Sequence, residues 1–189
     1  MDNLSPFTHD ILDCVSKLHE EYIYKKYSEV DNIIYEEKMN NNILYDKVIL
    51  SGRRKNSNEI NIANSRIIRY CFQTDKPILG ICYGAEIMAL ALGGSIYRMA
   101  NHFQGTITVN ILRPNSLIPD RTSVNVYENH RYSIAKLPQD FISLGYSSIC
   151  KYEVFSHIKK RIFGTQFHPE KSDGDGFALL SNFLKLERQ

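Results

Sequence analysis

Cys82 lies in the run Gly80-Ile81-Cys82-Tyr83-Gly84, and His168-Pro169-Glu170 follows far downstream, so the chain carries a thiol nucleophile, a base and a carboxylate that can orient the base. A thiolate attacks carbonyl carbon well, but free cysteine has a pKa of about 8.5 and needs electrostatic help to ionise at neutral pH. Lys76-Pro77-Ile78-Leu79 reads as a short buried strand and Ala85 to Leu92 as a helix, which puts Cys82 on a strand-to-helix turn. There the amino-terminal end of the helix dipole favours the thiolate, and a neighbouring imidazolium would favour it further. Gly80 and Gly84 leave room for so sharp a turn.

His168 precedes a proline, which biases it towards extended backbone, and in an extended segment the side chains of 168 and 170 point to the same side. Glu170 can then fix the tautomer and charge of an imidazole that acts first as general base and then as general acid. A lone Gly-x-Cys-x-Gly fits ordinary packing, and a lone His-Pro-Glu fits a turn. Here both occur, each directly after a strand-like run, the second of which is Ile162 to Phe167. The joint pattern points to acyl transfer.

The elements that must position these residues follow from periodicity. Phe7 to Tyr24 carries apolar residues at helical spacing after Ser5-Pro6, Ile43 to Leu50 reads as a buried strand, and Ile60, Ala63, Ile67, Ile68 and Cys71 form a second helical stripe. Such alternation implies a parallel sheet covered on both faces, with ligands gathered at the carboxyl ends of strands, where Cys82 sits. Beyond Gly94 the pattern turns strand-like: Ser95 to Met99, Thr106 to Leu112, Ser123 to Tyr127, Phe141 to Gly145, Val154 to His157 and Arg161 to Thr165. Asp175 to Leu186 closes the chain as an amphipathic helix, and the polar run Glu36 to Asn42 reads as a surface loop.

A chain of 189 residues with 43% hydrophobic content supports one substantial core, so residues 1–189 are read as a single domain. The net charge of +2 is well mixed, and Lys159-Lys160-Arg161 reads as a solvated turn, which leaves no nucleic-acid partner. Cys14, Cys71, Cys82 and Cys150 show neither Cys-x-x-Cys pairing nor metal spacing, and no apolar run is long enough for a signal peptide or membrane span. These observations imply a reducing cytoplasm, no metal, no cofactor and no membrane. Cys14 and Cys71 lie on apolar helical faces and read as packed thiols.

The runs Pro77 to Gly84 and Gly164-Thr165-Gln166-Phe167-His168-Pro169-Glu170 resemble the two signatures of class I glutamine amidotransferases, and the similarity extends over essentially the whole chain. The resemblance implies a flavodoxin-like α/β domain: a mostly parallel central sheet with helices on both faces and extra antiparallel strands in the carboxyl-terminal half. It also implies hydrolysis of the glutamine side-chain amide through a Cys82 thioester, with His168 and Glu170 completing the triad and the ammonia passed to a separate synthase. The oxyanion would be met by the Tyr83 N–H and by a Ser-Gly-Gly-Pro type loop, which aligns with Ser51-Gly52-Arg53-Arg54, making Gly52 and Arg53 the second donor candidates. Asp2-Asn3 with Phe7-Thr8 resembles the family's opening strand-to-helix junction, without the strand that usually precedes it.

Departures from the family are local. Arg53 replaces a glycine, which implies a strained and non-productive resting loop if the left-handed backbone is required, and Arg54 replaces a proline. Glu86 stands where the family has a glutamine that grips the substrate; it is open to pairing with the α-ammonium, to a different amide, or to lost activity. Within Glu128-Asn129-His130-Arg131-Tyr132, the resemblance makes Asn129, Arg131 and Tyr132 substrate-contact candidates and His130 a partner-facing candidate. The rival reading is a polar loop with a plain surface histidine.

Val126 to His130, Leu137 to Phe141 and Cys150 are most similar to free-standing GMP synthetase amidotransferase subunits, whereas Asp2 to Thr8 is closer to anthranilate and aminodeoxychorismate synthase subunits. No ATP-binding Gly-rich loop is present, so amination of a nucleotide or of chorismate requires a second polypeptide, an ATP-pyrophosphatase subunit in the first case. A stand-alone amidase or γ-glutamyl hydrolase, or a catalytically silent regulatory homologue, would share the same signatures.

Overall fold

Short strands buried on both faces form the centre of the molecule. In the computed structural model, which describes residues 1–40 and 44–187, β1 (Val48–Leu50) pairs in parallel with β2 (Ile78–Ile81), and β2 in parallel with β7 (Ile162–Thr165). Alternate residues of β2 enter different cores. Leu79 and Ile81 pack with Ile11 and Val15 of α1 (Thr8–Lys17) and with Leu179, Leu180 and Phe183 of α5 (Asp173–Leu184). Ile78 packs on the other face with Ile67 and Ile68 of α3 (Asn58–Thr74) and Met88 of α4 (Tyr83–Ala91). Ile78, Leu79 and Ile81 are fully buried, and each such side chain contributes roughly 1.5–3 kcal/mol relative to exposure. Helices on both faces of parallel strands leave the carboxyl end of β2 open for Cys82.

From β7 onward the sheet is antiparallel. The order among the described residues is β1-β2-β7-β6-β5-β3-β4, with β6 (Val154–His157), β5 (Phe141–Tyr146), β3 (Ser95–Ile111) and β4 (Ser123–Lys136). This seven-stranded mixed sheet is the α/β architecture expected, with its parallel part at the elbow and its antiparallel part in the later half. β3 and β4 form one long ribbon where the sequence suggested separate short runs. The ribbon includes Glu128 to Tyr132, so this stretch is not a loop: Glu128 and His130 alternate inward with Val124 and Val126. Two buried charges at even positions disguised a period-2 pattern that the aliphatic residues had begun.

Two other expectations are corrected, and the start of the chain takes a defined place. The first helix ends at Lys17, because His19 takes a left-handed φ of 58°, and Tyr24 is then captured by Asp2, its hydroxyl donating to Asp2 Oδ2 at 2.7 Å. Glu36 to Asn40 belongs to α2 (Val30–Asn40), whose Glu37 is buried against the Lys76 ammonium; positions 41–43 lie outside the described residues. Met1 to Asn3 is an extended stub: Asp2 bridges Lys26, Asn3 bridges Arg53, and the Ser51 N–H donates to the Met1 carbonyl at 3.1 Å. These three residues therefore run beside the Ser51-Gly52 loop.

Candidate active site

Cys82 is fixed by two backbone commitments with incompatible directions. Its N–H donates to the Thr165 carbonyl at 2.8 Å, extending the β2–β7 ladder, while its own carbonyl accepts Ala85 and Glu86 N–H at 2.9 and 3.0 Å to open α4. Between them the backbone takes φ 51° and ψ −108°. A residue with a Cβ rarely occupies such a region, at a cost of order 1–3 kcal/mol, and the surrounding packing holds it there. The turn needs close approach: a Cβ on Gly80 would lie 2.6 Å from the Gly84 backbone, and one on Gly84 would lie 2.6 Å from the Leu50 carbonyl oxygen.

His168 leaves β7 and is tied to β4, its N–H donating to the Tyr127 carbonyl at 2.8 Å. Its Nδ1 meets Glu170 Oε1 at 2.8 Å, with both residues buried. A carboxylate at Nδ1 assigns the proton there and leaves Nε2 free. The pairing does not come from an extended segment, however: Pro169–Lys171 forms a single 3₁₀ turn that brings residue 170 back under the ring. Phe7 stacks edge-on against His168 at 4.9 Å between ring centroids, holding the imidazole from its other side.

Gly52 joins the two halves. A Cβ placed on it would sit 3.1 Å from His168 Cε1 and 3.9 Å from Cys82 Cβ, so His168 and Cys82 border the same small space. The loop is pinned by buried amides: Asn3 N–H donates to Ser51 Oγ and Asn3 Nδ2 to the Ser51 carbonyl, both at 2.9 Å, and Asn64 Nδ2 donates to Asn3 Oδ1 at 2.7 Å. Arg53 is absent from the residues with positive φ, so the expected left-handed strain does not arise. Its guanidinium lies 3.8 Å from the Tyr83 ring centroid, and both Arg53 Nη1 (2.7 Å) and Tyr83 OH (2.8 Å) donate to Asn61 Oδ1. Such a cation–π contact contributes about 0.5–2 kcal/mol and ties the Ser51-to-Arg53 loop to the elbow.

The electrostatics keep Cys82 protonated at rest. Burial pushes the thiol well above its ordinary range, and Glu86, Glu170 and Glu128 push it further, against the lowering effect of the Tyr83 N–H. The favourable helix terminus is outweighed by burial and these carboxylates. The resting S–H donates to the Asn129 carbonyl at 3.8 Å. The arrangement suits a nucleophile that ionises only when its proton is taken by a base.

The remaining candidates separate. Asn129 is at the site through its carbonyl, and its Oδ1 meets His102 Nε2 at 2.7 Å. Glu86 is buried under the elbow, receives Gln166 Nε2 at 3.1 Å, and has its carboxyl raised by desolvation. Arg131 and Tyr132 are exposed, and among the described residues neither has a hydrogen bond to Cys82, His168 or Glu170. His130 does not face outward: it is 4% exposed, with Nε2 on Glu128 Oε2 at 2.7 Å. Phe7, Tyr127, Asn61 and Gln166 were not singled out from sequence as site residues, because each acts through a contact distant along the chain. Cys71 and Cys150 are packed thiols pushed up to about 12, chiefly by burial. Among the described residues no three His, Cys, Asp or Glu side chains are grouped to hold a metal, and no helix is long and apolar enough to cross a membrane.

Residues 1–186 match the family model described as glutamine amidotransferase class-I. The chain is 31% identical over 177 residues to the A-subunit of the glutamine-hydrolyzing GMP synthase of Picrophilus torridus, covering 90% of this chain and 93% of that one. It is 30% identical over 141 residues to the glutamine-hydrolyzing GMP synthase of Aliivibrio fischeri, covering 74% of this chain but spanning only 27% of that longer protein. The crystal structure of a Thermoplasma acidophilum protein assigned as a GMP synthase A-subunit superposes with a TM-score of 0.84 at 27% identity, covering 97% of this chain and 89% of the other.

Proposed function

The chain belongs to the class I glutamine amidotransferase family, and from that premise we propose that it hydrolyses the glutamine side-chain amide at Cys82 and delivers ammonia to a separate GMP-forming synthase subunit. The observation that carries the proposal is the joint placement of Cys82 at positive φ and His168 on Glu170, with Gly52 bordering both. His168 Nε2 takes the thiol proton as sulfur bonds to the amide carbon. In this reading the Tyr83 N–H and the Gly52-Arg53 backbone supply the donors that the tetrahedral oxyanion needs, each such donor being worth on the order of 100-fold in rate. His168 returns the proton to the leaving nitrogen, the C–N bond breaks, and ammonia departs from a glutamyl thioester. Water, deprotonated by the same imidazole, then releases glutamate and restores the thiol.

Assignment to GMP synthesis rests on the similarity to the Picrophilus protein over nearly both full lengths. In that reading the amination and its ATP chemistry belong to the second polypeptide, and both work in the cytoplasm. A raised, hydrogen-bonded resting thiol favours a subunit that is quiet alone and accelerated by its partner. The test is release of ammonia and glutamate from glutamine by the chain with and without the synthase, alongside Cys82→Ala. Release that needs Cys82 and rises with the partner supports the proposal. Steady partner-independent release would instead mark a stand-alone amidase, and none under either condition would mark a silent homologue.

A further inference from the structure

On the core side of β4, behind the nucleophile, lies a group of buried acids that amide hydrolysis does not use. Glu128 and Glu153 are both 0% exposed, a situation tolerated only when every charge finds a partner. His130 Nε2 meets Glu128 Oε2 at 2.7 Å, and Ser147 Oγ donates to Glu153 Oε1 at 2.6 Å. One oxygen on each acid, Glu128 Oε1 and Glu153 Oε2, then remains buried without a donor, while the two carboxyls lie within hydrogen-bonding range of each other. A single proton held between them satisfies both. His130 Nδ1 lies 2.7 Å from the Tyr132 carbonyl, which can only accept, so that nitrogen carries hydrogen. Burial pulls the imidazole pKa down, but Glu128, the Tyr132 carbonyl and Glu86 raise it on balance, which favours the imidazolium.

Residues 128 and 130 flank Asn129, whose carbonyl meets the Cys82 S–H. Glu128, Asn129 and His130 stand in register with Gly105, Gln104 and Phe103 of β3, and the register shifts just beyond them, between His130 and Tyr132, so this stretch lies where the regular ladder is interrupted. We propose that Glu128, His130 and Glu153 are positioning residues for the nucleophile: sharing one proton between the carboxyls, they clamp β4 on both sides of Asn129 and hold its carbonyl as acceptor of the resting Cys82 thiol. Burial, and then Glu128, push the Glu153 carboxyl up to about 9, so the clamp keeps its proton at neutral pH and loses it to alkaline solvent. The other titratable groups facing the cluster are Glu86 of α4, Cys150 and Cys82 itself.

The inference rests on Cys82 as the nucleophile, but its test does not need turnover. The rate of iodoacetamide alkylation of Cys82 is read by mass spectrometry of its peptide from roughly pH 6 to 10 in the wild type, Glu153→Gln and Glu128→Gln. Below pH ~8 the amide that Glu153→Gln introduces donates where the carboxyl proton did, so this variant stays within about twofold of wild type. Near pH 9 the wild-type rate climbs more steeply than the roughly tenfold per pH unit that thiolate formation alone permits, and Glu153→Gln restores that limit. Glu128→Gln, which breaks the ion pair, raises the neutral-pH rate about tenfold or more. A wild-type slope that never exceeds the single-proton limit, or an excess slope that survives Glu153→Gln, overturns the clamp. A neutral-pH rate unchanged by a folded Glu128→Gln does so as well. If Glu128→Gln does not fold, the Glu153→Gln comparison decides. Failure of glutamine hydrolysis with this pattern intact would count against the proposed activity and leave the clamp standing.

Discussion

Replacing Gly52 by alanine separates the cost of the new methyl group to the fold from its cost to the chemistry. Gly52 is not among the glycines with positive φ, so alanine carries no backbone penalty there. Its methyl would meet His168 Cε1 at 3.1 Å and Ser5 Oγ at 3.4 Å, contacts relieved by shifts of a few tenths of an ångström. Overpacking of that degree costs about 1 kcal/mol, which for a chain of this size lowers Tm by roughly 2–4 °C. The same methyl enters the space bordered by His168 and Cys82, where the amide must sit, and displaces the loop that would donate to the oxyanion. A misplacement of that kind, with one donor lost, lowers kcat/KM about 100-fold, or about 2.7 kcal/mol in barrier. Coupled detection of ammonia, with the synthase present, measures the loss of activity, and calorimetry measures the loss of stability. Activity within about threefold of wild type would show that Gly52 does not border the reacting space, and a Tm loss above about 10 °C would show that the packing argument is wrong.

Glu170→Gln leaves the fold intact but replaces the acceptor-only carboxylate with a neutral amide that can also donate to Nδ1, so the His168 tautomer is no longer fixed and the imidazolium loses its counter-charge, and kcat falls about 100-fold or more in the same ammonia assay. Glu86→Gln keeps a polar partner for Gln166 while removing one of the charges that, after burial, hold the Cys82 thiol up; the rising limb of Cys82 alkylation against pH therefore moves to lower pH. A limb that stays put or moves up would contradict the assignment. Glu153 has its folded-state pKa raised from 4.5 to about 9, so the unfolded chain releases its proton first, and stability falls as pH rises through that window before levelling above it. Chemical denaturation at several pH values should show that decline in wild type and a flatter profile in Glu153→Gln.

Local signals carried the elbow and the two-faced sheet, because the residues that build them are adjacent in sequence. Ile78 and Leu79 must be strand, Ala85 onward must be helix, and the glycines at 80 and 84 make sense only if their backbones approach closely. The rest depended on pairings that sequence does not display. Glu37 reads as loop polarity until Lys76, 39 positions away, is seen beside it. His130 reads as an exposed partner contact until Glu128 is seen to bury its charge, and Arg53 reads as a strained glycine replacement until its guanidinium is found on Tyr83. The sign of the Cys82 shift was likewise hidden: the helix terminus is local, whereas the burial and the three carboxylates opposing it come from α4, β4 and the turn after His168. Motif residues announced the chemistry, while the groups that set its resting state came from distant segments.

The central claim is that Cys82, activated by His168, attacks the side-chain carbonyl of glutamine. Its most direct test treats the chain, with and without the synthase, with a glutamine-analogue electrophile and maps the adduct by mass spectrometry. One adduct is expected, on Cys82, formed faster with the synthase present, lost in Cys82→Ala and strongly slowed in His168→Ala. No adduct under either condition, or labelling that survives Cys82→Ala, would contradict it.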